Sequence, residues 1–406
     1  MTKYLPRENS KLISTALKTM PVVVLSGMRQ TGKSTLLQRC DLFDKRRYFT
    51  FDDYNTLEIA QREPESLFSQ DEEITIDEVQ KYPEILNAIK RDVDKHRKPG
   101  RFILSGSANF LLLKNISETL AGRAVYLTLY PFSRRERLGH TKSCPALVHF
   151  ISKGVFPKVY GIKPIGFDEI LLGGMPSVAL KQVKDSNIWF RGYEQTYLER
   201  DIRSLSQVAD IVSFRHLLQL IALRNAQVLN QSELARDAKL NVMTTTRYIS
   251  LMEASFVIFR LFPHLSNRTK RLIKSPKIYF SDSGLAAYLA GVKKLDNHEP
   301  LRGAFLENYV AQNLLEIISV YYPDAKITYW NIQGRFEVDF ILELGRETVA
   351  VEVKYGSRIH ENDIAGIKAY MSTSKSCSAG ILVYNGTDVI KLSEKIWGVP
   401  ISLFLS

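Results

Sequence analysis

The sequence predicts an α/β chain: a parallel sheet covered by helices on both faces, a helix-rich middle, and a second α/β domain at the end. Three observations carry that reading. Five short apolar runs alternate with longer amphipathic stretches across the first third, the alternation stops near Pro131, and mixed patterning returns after Gly291 and Pro300. Strands that alternate with helices and are apolar throughout belong to a parallel sheet buried on both faces.

The runs Val22–Leu25, Arg47–Phe51, Ile74–Ile76, Phe102–Leu104 and Val125–Leu129 read as the five strands. Candidate helices lie between them, at about 33–40, 54–68, 81–97 and 109–121. At 406 residues the chain is too long for one ordinary domain. Four segments are expected: 1–140, the sheet domain; 141–228, a helical linker region; 229–292, a compact helical pair with two strands; and 293–406, the second α/β domain.

Hydrophobic residues make up 45% of the chain and charged residues 24%, which excludes a disordered protein. The longest apolar runs fall far short of the roughly 18 residues a membrane helix needs. The N-terminus has no apolar core of the secretory kind. Three scattered cysteines, Cys40, Cys144 and Cys377, argue against a disulfide scaffold or a paired-cysteine zinc site. A reducing, cytoplasmic setting is expected.

The net charge of +12 is unevenly spread: residues 201–280 carry +7 and residues 281–406 carry −3. A basic segment beside an acidic domain implies a local anionic partner, with nucleic acid the first expectation. A solvated basic surface is the bland alternative.

Gly27-Met28-Arg29-Gln30-Thr31-Gly32-Lys33-Ser34 fits the Walker A pattern in its required context, with a β-branched strand before it and a helix start after it. The glycines let backbone N–H groups curl around phosphates at a helix N-terminus. Lys33 is expected on the β/γ-phosphates and the Ser34 hydroxyl on Mg²⁺. Gly27, Gln30, Thr31, Gly32, Lys33, Ser34 and Thr35 are therefore the candidate ATP-binding residues.

Ile74-Thr75-Ile76-Asp77-Glu78 supplies the second half of that site. Asp77 is expected in the magnesium shell and Glu78 as the group that polarises the attacking water. A third strand ends in Ser105, Ser107 and Asn109, any of which could reach the γ-phosphate; Ser107 is the choice taken, and a helix N-cap is the other role open to them.

Several runs together resemble a large prokaryotic group of AAA-type ATPases. They are the Walker A loop, Ile76-Asp77-Glu78-Val79-Gln80-Lys81, Leu104-Ser105-Gly106-Ser107, Leu120-Ala121-Gly122-Arg123 and Pro131-Phe132-Ser133 with Glu136. Gly173-Gly174-Met175-Pro176, Tyr197-Leu198-Glu199-Arg200-Asp201 and Tyr279-Phe280-Ser281-Asp282-Ser283-Gly284 extend the likeness over nearly the whole chain. The resemblance implies an ATPase that works as a homo-oligomer, with a hexamer expected. Arg123 then becomes a candidate arginine finger reaching a neighbour's nucleotide. A structural arginine before a strand is the alternative.

In the basic middle, Asn230 and Glu233 have capping-box spacing, Asn241 marks a turn, and Thr244–Glu253 reads as a second helix with Tyr248, Leu251 and Met252 inward. Two strands, Phe256–Phe262 and Lys277–Phe280, flank a basic loop. Helix, turn, helix and wing make a winged-helix pattern. Thr244, Thr245 and Arg247 are expected at a DNA groove, with Arg268, Lys270, Arg271 and Lys274 on phosphates.

The sharpest geometry lies in Glu337–Lys354. Both halves alternate as half-buried strands do, and a Gly345-Arg346 loop suits a two-residue type II′ turn. That register places Asp339 opposite Glu352, near enough to share a metal ion, with Lys354 on the same face. Asp339 with Glu352-Val353-Lys354 resembles the core of the PD-(D/E)xK superfamily, the restriction-endonuclease-like fold. Glu307 resembles the helix glutamate that superfamily adds to its Mg²⁺ or Mn²⁺ site. The Gln-x-x-x-Tyr of its exonucleases is missing, because Gly366 stands four before Tyr370.

The leading expectation is an ATPase that binds and remodels DNA, branched or single-stranded, and cuts it with a metal-dependent tail. A nucleotide-controlled switch whose tail does not cleave is the second reading. A transcription regulator reading operators through the winged helix is the third.

Overall fold

The computed structural model describes residues 4–68, 72–106, 119–197, 202, 210–265, 274–294, 298–332 and 335–406. The chain divides into two compact units. The first comprises Met1–Phe132, Arg191–Ala209 and Ile249–Val257; the second comprises Ser133–Phe190, Asp210–Tyr248 and Ile258–Ser406. The four segments expected from the sequence cut across this division.

The first unit is built on five parallel strands: β1 (Val22–Ser26), β2 (Arg47–Thr50), β3 (Ile74–Asp77), β4 (Phe102–Ser105) and β5 (Ala124–Thr128). Their order is β2-β3-β4-β1-β5. The three central strands are buried at every residue, whereas the edges β2 and β5 are partly exposed. Strand alternation sends Val22 and Val24 to one face and Val23 and Leu25 to the other. The first face packs on Ile85, Leu86, Ile89 and Val93 of helix α4 (Ile85–His96). The second packs on Ile13 of α1 (Asn9–Leu17) and on Leu36 and Leu37 of α2 (Lys33–Arg39). Helix α3 (Tyr54–Arg62) is capped by Asp53, whose side chain accepts from Asn55 and Thr56 N–H. All five expected strands are present, and the carboxyl ends of β1, β3 and β4 carry Ser26, Asp77 and Ser105.

The second unit holds a six-stranded mixed sheet ordered β12-β13-β11-β10-β9-β8. Its strands are β8 (Lys326–Ile332), β9 (Phe336–Leu344), β10 (Glu347–Lys354), β11 (Cys377–Tyr384), β12 (Ile390–Ser393) and β13 (Ile396–Pro400). β8, β9 and β10 run antiparallel, while β10, β11 and β13 run parallel with the helix Ala365–Thr373 between β10 and β11. The 20-residue helix Arg302–Tyr321 precedes the sheet.

The hairpin register is the expected one: Glu347 pairs with Leu344, and the pairing runs on to Val351 with Phe340. Gly345 has φ +68° while Arg346 stays outside the positive region, the sign pattern of a type II′ turn.

The expected helical pair is also present, as Gln231–Asp237 and Val242–Ala254. The Asn230 side chain accepts from Glu233 N–H at 3.2 Å. β6 (Ile258–Leu261) and β7 (Lys277–Phe280) pair antiparallel. β7 is fastened to the helix Arg302–Tyr321 by Asn308, whose side chain both accepts from Phe280 N–H (2.7 Å) and donates to Phe280 C=O (3.1 Å).

Two of the quoted motifs meet here for a structural reason. The Asp282 carboxylate accepts from Gly174 N–H (2.6 Å) and Leu285 N–H (2.7 Å). Gly173 has φ +64°, and a Cβ there would sit 2.6 Å from both carboxylate oxygens of Asp282. Burial lifts the Asp282 carboxyl to about 6, against the pull of those amides.

Candidate functional site

The Walker A loop joins the carboxyl end of β1 to the start of α2. Gly27 has φ +141°, and a Cβ there would lie 2.3 Å from the Leu129 carbonyl oxygen, so only glycine fits. Gln30 is left-handed at φ 61° and exposed, and Gly32 enters α2 at φ 92°. Thr31 is buried, its hydroxyl donating to Met28 C=O at 2.9 Å. Lys33 is 7% exposed, and its ammonium donates to Gly27 C=O (3.0 Å) and Met28 C=O (2.8 Å). Ser34 is half-buried and Thr35 exposed.

Asp77 is buried at the tip of β3, where Ser105 donates its hydroxyl to Oδ1 and Tyr48 donates to Oδ2 at 2.7 Å. Burial, then the bond to Asp77, pushes the Tyr48 phenol up, so it stays a donor. Glu78 turns left-handed at φ 56°. Burial first, then the Asp77 charge, raises its carboxyl. Gln80 donates to it.

A hydroxyl, two carboxylates and one ammonium, with no thiolate or imidazole, fit a magnesium–nucleotide pair. Of the three residues weighed as γ-phosphate contacts, Ser105 lies on Asp77. Ser107 and Asn109 lie outside the described residues. Tyr48 and Gln80 were not anticipated: a tyrosine in an edge strand and a glutamine two residues past the carboxylates have no spacing signal of their own.

Arg123 precedes β5 in a bidentate pair with Asp94 of α4, at 2.6 and 3.0 Å. That contact serves the structural alternative within one chain.

Thr245 corrects an expectation. It is fully buried, and its hydroxyl donates to Asn241 C=O at 3.0 Å, so it cannot touch a groove. It shares a helix face with buried Tyr248, three residues on, whose ring packs edge-on against Phe214. Arg247 and Lys274 are exposed; Met243, 83% exposed, and Arg247 belong to the solvent side. Arg268, Lys270 and Arg271 lie outside the described residues.

In the second unit the hairpin brings Asp339 and Glu352 together as expected, each 7% exposed. Asp339 N–H donates to Glu352 Oε2 (3.4 Å), and Val353 N–H donates to Asp339 Oδ2 (2.9 Å). Lys354 donates to Glu352 Oε1 at 2.6 Å. Burial, then the Asp339 charge, raises the carboxyls of both Glu352 and Glu307.

Glu307, however, is taken. Its Oε1 accepts from Lys277 (2.9 Å) and from Tyr279 (2.6 Å), both on β7. Lys277, with its side chain 4% exposed, also pairs with Glu337 and lies 3.5 Å from Asp339. Burial alone would lower the Lys277 ammonium; Tyr279, Glu307, Asp339 and Glu337 together lift it well above the ordinary lysine value. Among the described residues no group of three or more His, Cys, Asp or Glu is arranged to hold a metal ion. The expected centre of Glu307, Asp339 and Glu352 is therefore not preformed, because a lysine stands among its carboxylates. Lys277 and Glu337 went unnoticed in the sequence. The signal available was a lysine and a tyrosine two apart on a short apolar strand, hence on one face.

The two sites rest on different sheets, and three family models match along the chain. Residues 19–138 match the family model described as an AAA domain. With the five-stranded parallel sheet and the Walker A loop, this defines an AAA-type P-loop domain. Residues 167–296 and 302–404 match two domains of unknown function. The chain is 28% identical to an uncharacterized protein of Mycobacterium tuberculosis, over 98% of this chain and 84% of the relative. An uncharacterized protein of Haemophilus influenzae is 24% identical, covering 84% of this chain and 85% of the relative. Among solved structures, a Walker-type ATPase of Pyrococcus abyssi aligns with TM-score 0.41 and 18% identity, over 70% of this chain and 94% of that one. The Thermotoga maritima Holliday junction branch migration motor RuvB aligns at 0.29 and 16%, over 63% and 90%. No helix among the described residues is long and apolar enough to cross a membrane.

Proposed function

We propose that this chain is an AAA-type ATPase that hydrolyses ATP with Mg²⁺, acts as a homo-oligomer, and couples turnover to bound DNA. One observation carries the hydrolytic part: Lys33 opens the helix after β1, Asp77 ends β3 with Glu78 next to it, and Ser105 of the intervening β4 and Tyr48 of β2 hold the Asp77 carboxylate. Mg²⁺, when bound, would neutralise charge on the phosphates, with Ser34 and Asp77 as its holders. Glu78, raised and partly buried, accepts the proton of the attacking water. Lys33 exchanges its carbonyl partners for phosphate oxygens.

The DNA part is supported by the helical pair, the antiparallel β6–β7 wing, and the exposed Arg247 and Lys274 within residues 201–280, which carry +7. The helix, three antiparallel strands, helix and parallel strand of the C-terminal domain support a restriction-endonuclease-like reading. Lys277 favours a tail that holds DNA without cutting it. The test is ATP turnover with single-stranded, duplex and branched DNA, strand integrity being followed in the same tubes. Turnover raised by DNA, salt-dependent binding and intact strands are expected. Turnover indifferent to every DNA, with no binding at low salt, would replace DNA by a protein partner. Metal-dependent strand cuts lost in Asp339→Ala would restore the nuclease reading.

A further inference from the structure

We propose that the Lys277 ammonium is the resident cation of the Glu307–Glu337–Asp339 cluster, standing where a nuclease of this architecture would hold a divalent metal. The inference deepens the reading of the C-terminal domain as a non-cleaving, nuclease-like fold. It rests on geometry. Three carboxylates converge on one lysine Nζ: Glu307 Oε1 at 2.9 Å, Asp339 Oδ1 at 3.5 Å, and Glu337 Oε1 in direct contact. The lysine side chain is 4% exposed and that of Asp339 10%, while Glu337, at 40%, is the carboxylate that water also reaches.

Four carboxylates facing two ammonium groups keep a formal −2, but the ammonium groups already occupy the oxygens that a metal would use. Lys277 answers Glu307, Glu337 and Asp339 from one side, and Lys354 answers Glu352 at 2.6 Å from the other. A divalent ion placed among these carboxylates would meet two ammonium groups that repel it. The lysine is also not on a segment free to swing aside. β7 is paired to β6 through Lys277 itself, opposite Leu261, and is bonded at Phe280 to Asn308. The Lys277 ammonium further lies 5.8 Å from the centre of the Tyr329 ring, whose hydroxyl donates to Ser275 C=O at 2.6 Å. Each contact fixes the strand that delivers the lysine. It is a built part of the domain.

Removing the ammonium should therefore uncover an oxygen-rich cation site. The experiment is Mn²⁺ binding by electron paramagnetic resonance on nucleotide-free full-length protein. It compares the parent, Lys277→Met, Lys277→Gln, and each of these with Asp339→Asn added. The parent should hold no Mn²⁺ that Asp339→Asn removes. Lys277→Met should gain about one Mn²⁺ per chain. Adding Asp339→Asn should weaken that ion by at least about tenfold. Lys277→Gln keeps hydrogen bonding without the charge and serves if Lys277→Met fails to fold. An Asp339-dependent Mn²⁺ in the parent would overturn the proposal by itself, whatever the variants do. So would a folded Lys277 variant that gains none. DNA binding measured in parallel separates the two readings: its loss in the parent would remove the DNA partner and leave the Lys277 result standing.

Discussion

Two lysines are buried among the described residues, Lys33 in the first unit and Lys277 in the second. Their described hydrogen-bond partners differ in kind. Lys33 donates to two loop carbonyls and also feels the nearby Glu78 charge. Lys277 is set among Glu307, Glu337 and Asp339. A cation meant to meet a ligand's phosphates is kept waiting on neutral groups it can exchange. A cation meant to hold a fold is matched by fixed negative charge. The same residue type thus makes an anion site in one unit and closes a cation site in the other.

The largest effect that could break this contrast is on stability. Lys277→Met leaves buried Asp339, largely buried Glu307 and half-exposed Glu337 without their cation and should destabilise the second unit by about 3–5 kcal/mol. Lys33→Ala should leave thermal stability nearly unchanged and abolish nucleotide binding. Denaturant titration of both variants, with fluorescent-nucleotide binding alongside, checks the pair. Equal losses of stability would show that the two lysines are not held differently.

Next comes Glu78→Gln. Binding should survive, because Lys33 and the loop are untouched, while hydrolysis slows on the order of 10²-fold, or about 2.7 kcal/mol of transition-state stabilisation. Steady-state turnover with a parallel binding isotherm separates the two quantities. A Glu78→Gln protein that turns over at the parent rate would take Glu78 out of the chemistry.

What the sequence discloses follows the range of the forces involved. The five strands of the first unit were legible because each is a local apolar run, and the loop glycines because only glycine reaches φ +141° against Leu129. The pairing of Asp339 with Glu352 was legible because a two-residue turn fixes register by counting. Lys277 was not, since its partners lie 30 to 62 residues away on a helix and another strand. Thr245 was misjudged for a related reason. Its polarity suggested a surface, but its spacing to Tyr248 places it on the buried stripe. The Asp282–Gly174 bond likewise joins residues 108 apart, so the contact between two motifs of the resemblance was not legible from their spacing.

Asp282 sharpens the comparison from another side, as a buried carboxylate met by backbone amides. Its folded pKa, about 6, stands above its ordinary 3.8. The folded state therefore binds the extra proton between about pH 4 and 6, and stability falls as pH rises through that window. The slope contributed is at most about 1.4 kcal/mol per pH unit. Asp282→Asn removes the titration while keeping one acceptor for the amides. The stability difference, parent minus variant, should decline from pH 4 to 6 and level off above. A difference that grows with pH would mean the amides outweigh burial.

The smallest effect is expected at Arg123, a third cation and one whose side chain is 29% exposed. Its bidentate contact with Asp94 resembles the Lys277 cluster in chemistry, but water and salt screen it, so Arg123→Ala should not measurably shift the melting temperature. That makes it a clean probe of assembly. If Arg123 reaches a neighbour's nucleotide, Arg123→Ala should lower turnover without altering nucleotide affinity. Mixing it with Lys33→Ala subunits should then recover part of the activity, since each supplies what the other lacks. Asp94→Ala is the control: it frees the guanidinium, and turnover should hold or rise. If Arg123→Ala and Asp94→Ala lower turnover alike and mixing restores nothing, Arg123 acts within its own chain, fastening the start of β5 to α4. The contrast between the two lysines would then extend to it, as a second cation held by a carboxylate for the fold's sake.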